Sequence, residues 1–252
     1  DDKIVGRIAG IINHKYNEKW NQKSARFGWI DFIDDEQVSQ KLIEHVINWA
    51  KEKGMDKIHG PLGFTDLDGE GMLIEGFDEL STFGSIYNHP YYKKHIEKLG
   101  FEKDADWIEF TVNFDPTVAG PEKVSRIADA VAERNHLRIL RVKKAKEMLP
   151  YAREIFYLIN EAYKNLFGFV ELTDKQIDMY VKAYFGFIKP DYVPIILDTN
   201  NKVAAFGITM PSLSIAVQKS KGKLFPFGFI HILKAMKNNP DVDLYLTAVR
   251  PE

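Results

Sequence analysis

The chain has 252 residues, 45% of them hydrophobic and 28% charged, and its 34 Lys and Arg set against 36 Asp and Glu leave a formal charge of −2. That length suits two domains of roughly 100–150 residues, and without a long basic block the chain-wide charge offers no attraction for nucleic acid or an anionic membrane. Zero cysteines exclude disulfides, thiolate metal sites and a cysteine nucleophile, in keeping with a cytoplasmic location.

No apolar run reaches the ~18 residues of a membrane helix, so no membrane partner is expected. The ends, Asp1-Asp2-Lys3 without a methionine and Val249-Arg250-Pro251-Glu252, each abut an apolar strand pattern, and they read as cuts within a longer product.

In chain order, residues 3–12 are rich in β-branched side chains and predict a strand, and 26–33 predict a second after a polar connection at 13–24. Val38, Leu42, Val46 and Ala50 recur every fourth residue and predict a helix over 36–53. Asp34 is its expected cap, with Gln37 answering in a capping box, and Gly54 its stop. A short strand at 57–60 then runs into a Gly- and Asp-rich loop, 61–76. A helix over 90–99, capped by Asn88 with Pro90 in its first turn, precedes a strand at 107–114. Asp115 to Pro121 has linker composition.

Beyond it the pattern predicts a helix at 122–135, a strand at 137–142 and helices at 144–167 and 173–187, the latter capped by Thr173 with Gln176. A hairpin at 193–209 turns at 198–201; a helix at 229–237 and a strand at 242–249 follow. The two halves echo each other, residues 3–8 with 202–207 and 27–32 with 243–249. The order implies an α/β (α+β) chain of two similar domains: 1–115, then a linker and helix at 116–136, then 137–252.

Residues 25–54, a strand, a sharp turn and an amphipathic helix ending Trp49-Ala50-Lys51-Glu52-Lys53-Gly54, resemble the central segment of GNAT N-acyltransferases. His95-Ile96-Glu97-Lys98-Leu99-Gly100-Phe101 resembles that family's helix-to-strand exit, and residues 202–209 with 244–252 resemble its third and fourth strands. The resemblance implies two tandem copies of the fold, each a mixed, mostly antiparallel sheet flanked by helices. It implies acetyl-CoA or another acyl-CoA as cosubstrate and a small-molecule or peptide amine as acceptor. In that family a glycine-rich turn at a helix N-terminus cradles the pyrophosphate, where free N–H groups favour an anion.

The first copy departs from this pattern. Gln37 and Ser39 stand at its glycine positions, and Asp34, Asp35 and Glu36 crowd the same turn, where they suit helix capping better than anion binding. Ile96 occupies the position of the family's catalytic tyrosine, and Tyr91 and Tyr92 read as packing groups. The resemblance therefore places the thioester site in the second copy, with Ala248 and Val249 offering backbone groups to the pantetheine arm.

Other constellations are weaker. Asp66, Asp68 and Glu70 start like a calcium loop, yet Phe77 stands where the closing glutamate belongs. The same acids with Glu75 would suit a cationic amine, so Asp66 and Asp68 with Tyr87 and Asn88 form a candidate substrate rim. Glu171 is a candidate general base. The seven histidines are dispersed without metal-ligand spacing, so no metal is expected. No Gly-x-Ser-x-Gly elbow occurs. The leading expectation is an N-acyltransferase. The alternatives are a scaffold that keeps the fold without the chemistry, or an aminoacyl transferase of the tandem type.

Overall fold

The computed structural model describes residues 3–114 and 120–251, so the linker expected at 115–121 lies mostly outside the described residues. They form a mixed α/β chain with two sheets and, among the described residues, eight α-helices. The chain divides into two compact units. One comprises residues 1–107 with Leu166–Val170, the other 108–165 with 171–252.

The first unit contains β1 (Gly6–Ile11), α1 (His14–Lys19), β2 (Ser24–Phe32), α2 (Glu36–Glu52), β3 (Lys57–His59) and α3 (Tyr91–Lys98). The sheet order is β1-β2-β3, with β1 antiparallel and β3 parallel to β2. The expected connection at 13–24 holds α1, whose cap is Asn13 through its bond from Tyr16 N–H. Its six residues are too few for a 3.6-residue period to stand out.

An extra residue on β2 between Gly28 and Asp31, with Trp29 at φ 44°, makes a β-bulge. The bulge reverses the alternation. Phe27 before it and Ile30 and Phe32 after it therefore share one buried face with Ile43, Val46 and Ile96.

α2 ends as expected, with Gly54 at φ 76° just past it. Its cap is not Asp34 but Asp35, whose carboxylate accepts from Gln37 and Val38 N–H. α3 also departs from expectation. Asn88 turns away from it and clamps the loop, accepting from Leu73 N–H and donating to Leu73 C=O.

The strand expected at 107–114 does not form. Ile108, Phe110, Val112 and Phe114 alternate as a strand should but stay exposed, and an extended segment becomes a strand only through ladder bonds to a neighbour.

The second unit contains α4 (Gly120–Arg134), β4 (Arg138–Ile139), α5 (Leu149–Tyr163), α6 (Asp174–Tyr184), β5 (Ile195–Leu197), β6 (Val203–Pro211), α7 (Ser214–Ser220), α8 (Gly228–Lys237) and β7 (Val242–Val249). The sheet is wholly antiparallel in the order β4-β5-β6-β7. The helix read over 144–167 divides into a 3-10 turn (Ala145–Met148) and α5, with Pro150 tolerated in the first turn. Thr173 and Gln176 form the expected capping box on α6. Ile159, Ile177, Ile195 and Leu197 are fully enclosed and centre the core.

The cap reassignment is testable. Asp35→Ala loses an N-cap and lowers stability by about 1 kcal/mol in a denaturant titration, whereas Asp35→Asn retains most of it.

Candidate functional site

β2 presents Phe27 to one face and Arg26 to the other, where the guanidinium is 1% exposed. Nη1 donates to the Gly63 and Phe64 carbonyls at 3.0 and 3.4 Å, and Nη2 to the Gly168 carbonyl at 3.2 Å. The guanidinium lies 4.6 Å over the Tyr16 ring, a favourable stacking arrangement for a desolvated cation. The loop after β3 reaches it because there is no side chain between them. A Cβ at Gly28 would sit 2.2 Å from the Leu62 oxygen, and one at Gly63 would sit 2.1 Å from Asp68 Cβ.

That loop supplies the counter-charge. Asp68 folds it by accepting from Phe64 and Thr65 N–H at 2.9 and 2.8 Å. Asp66 and Glu70 interact with each other and feel the charge of Arg26. Burial pushes Asp66 up to about 6 against the pull of Arg26. It pushes Glu70 up to about 7, with the neighbouring Asp66 adding to the rise. Two adjacent carboxyls cannot both ionise cheaply, so the pair retains a proton close to neutral pH.

His59 lies opposite Arg26 on β3 and is lowered to about 4, first by burial and then by the Arg26 charge, so its ring stays neutral. Arg26 Nε and His59 Nε2 are buried without a hydrogen-bond partner among the described residues, unusual for buried polar atoms. A carboxyl pair that retains a proton beside a fixed cation can exchange that proton with a polar group.

Of the expected substrate rim, Asp66 and Asp68 gather here with Glu70. Tyr87 is exposed, its ring near His89, and Asn88 is buried as the loop clamp. Glu171 lies exposed in the turn before α6. Arg26 and His59 are not distinguished by local pattern, because they meet only through the pairing of β2 with β3; a charge near the start of Ser24–Phe32 was the available signal.

Ala248 and Val249 are on β7, the last strand of its sheet. Arg250 N–H donates to Ala204 C=O, and antiparallel alternation then turns Ala248's backbone groups toward β6 and those of Val249 and Thr247 toward the outer edge. The Tyr163 hydroxyl donates to the Thr247 carbonyl at 2.8 Å.

The first turn of α2 carries a second constellation. Ser39 Oγ lies 2.9 Å from His95 Nδ1, and His95 Nε2 lies 2.9 Å from Asp34. The order Ser-His-Asp has the outline of a catalytic triad, but Ser39 is 1% and His95 4% exposed, and Ser39 Oγ also donates to the Glu36 carbonyl. The set docks α3 on α2, assisted by an ion pair between Lys98 and Glu36. Tyr91 OH donates to Phe32 C=O and Tyr92 OH accepts from Phe32 N–H. The end of β2 and the turn after it are thus fully engaged by α3, and of the three acids there only Asp35 is a cap. A depression of about 430 Å³ is lined by Asn21, Gln22, Lys23, Asp56 and Lys57.

The chain is similar to Protein YghO of Escherichia coli (strain K12), with 30% identity over 240 residues, 93% of this chain and 59% of YghO. It is also similar to a bacterial ceramide synthase of Caulobacter vibrioides (strain NA1000 / CB15N), with 25% identity over 240 residues, 92% of this chain and 60% of that protein. The chain thus spans about three-fifths of the length of these curated relatives. No family model and no solved structure matches it.

The carboxyl pair has a stability signature. Asp66 and Glu70 hold protons in the folded chain to a higher pH than when unfolded, so their contribution to stability is present at low pH and lost as pH rises from about 4 toward about 7. His59, held neutral, acts in the opposite sense as pH falls from 6.5 to about 4. Glu70→Gln should therefore raise the unfolding temperature by a few degrees at pH 8 and by less at pH 5, measured by calorimetry.

Proposed function

We propose that this chain forms the greater part of an N-acyltransferase that joins an acyl group, carried as a CoA thioester, to an amine. The observation that carries the reading is the Asp66–Glu70 pair beside Arg26, which holds a proton near neutral pH. An amine arrives protonated at neutral pH and must lose a proton before its nitrogen attacks a thioester carbonyl. The carboxyl pair is suited to hold the cation and to accept that proton. Attack then forms the C–N bond and breaks the C–S bond, the thiol leaves with a proton, and the amide is the product.

Two further features support the reading. The antiparallel strand pairs β1–β2 and β6–β7, each with a register shift, lend support to the resemblance to GNAT enzymes. The name of the Caulobacter relative, ceramide synthase, denotes amide formation between an acyl group and an amine, and we extend that reaction type to this chain with a long-chain amine as acceptor.

The test is transfer of a radiolabelled acyl group from acyl-CoA to a panel of amines by the intact natural protein. Activity should rise with pH along a limb near the Glu70 value of about 7, because the base works only when deprotonated. Glu70→Gln and Asp66→Asn should each lower kcat by about 100-fold or more. Calorimetric titration with acyl-CoA provides a separate check: absence of binding would leave the scaffold reading.

A further inference from the structure

Across the second unit's last two helices the local charge departs from that of the whole chain. Residues 199–240 contain no acidic residue, whereas Lys219, Lys221, Lys223, Lys234 and Lys237 all lie there and are all exposed. Between them, the loop joining α7 to α8 carries Leu224, Phe225 and Phe227, with Phe225 75% and Phe227 70% exposed. Phe225 touches only the half-covered Phe229 among the described aromatic rings, at 6.2 Å. On α8, Ile230 and Leu233 extend the apolar surface one helical turn at a time. Lys234 and Lys237 stand four and seven residues after Ile230, so the same stripe passes from apolar at the loop to basic at its far end.

We infer that this face docks on the surface of an anionic lipid bilayer, with the Leu224–Phe227 tip inserted among acyl chains and the flanking lysines at the headgroups. An exposed apolar patch of this kind marks an interaction site rather than ordinary surface, and two observations favour that occupant over a protein. Lysine is depleted from protein interfaces, whereas at a membrane its long stem lies along apolar surface while its ammonium reaches the phosphates. An acid-free stretch between clustered lysines complements a negative surface potential and would be wasted on a neutral one. No described helix is long and apolar enough to cross a membrane, and the inferred contact is one of the surface. The chain-wide balance of charge, which gave no reason to expect a membrane, conceals this local surplus. The inference stands apart from the acyltransferase reading and uses no activity measurement.

The experiment is vesicle co-sedimentation of the intact natural protein. We expect binding to vesicles of equal parts phosphatidylcholine and phosphatidylglycerol, about tenfold weaker binding to phosphatidylcholine alone, and release at ~0.5 M salt, where charges are screened within a few ångströms. Phe225→Ser with Phe227→Ser should weaken binding about tenfold at low salt. Lys219→Gln with Lys221→Gln and Lys223→Gln should remove most of the preference for the anionic lipid. Circular dichroism shows whether each variant is folded; all five side chains are exposed, so folding should be unchanged. The proposal is overturned if the intact protein does not sediment with anionic vesicles, or if both variants bind as it does. It is likewise overturned if the phenylalanine exchange alters only self-association on gel filtration.

Discussion

A single buried cation organises the first unit. Moving a guanidinium out of water is costly unless its donors and its charge are answered, and Arg26 obtains three carbonyl acceptors, an aromatic face and a cluster of carboxylates. Each requirement explains a neighbouring piece of sequence. Gly28 and Gly63 let the loop lie against the strand, Asp68 curls that loop so that its carbonyls point inward, and Asp66 and Glu70 share the remaining negative charge. The same arrangement raises the proton affinity of the two carboxyls, because burial disfavours their charged forms more strongly than the Arg26 charge favours them.

The opposite face of β2 is served by a different device. A single extra residue around Trp29 lets Phe27, Ile30 and Phe32 share a face, and two tyrosines of α3 complete the backbone bonding of Phe32. With His95 wedged between Ser39 and Asp34, α3 belongs to the structural core of the unit. The acids at the start of α2 are divided among a cap, an ion pair and a histidine bond, and none is left to do what the corresponding turn does in the family that the sequence resembles.

Long amphipathic elements were readable in advance. The fourfold spacing of Val38, Leu42, Val46 and Ala50, the Thr173–Gln176 capping box and the hairpin around 198–201 all appear in the structure. Short α1 and α7 escaped notice because six or seven residues show barely two turns of periodicity. The site was half readable: Asp66 and Asp68 announced themselves through their density in a glycine-rich loop. Arg26 and His59 come together with them only through strand pairing and a parallel register, which no local pattern records. Asp34 and Asn88 were read as caps from position alone, while their bonds go to residues 61 and 15 positions away.

The extended segment at 108–114 carries a practical corollary. Alternating large apolar side chains along an exposed stretch form an adhesive surface onto which other chains can add. In concentrated solution this stretch should govern the protein's colloidal behaviour, and charged side chains introduced along it would be the first remedy for precipitation.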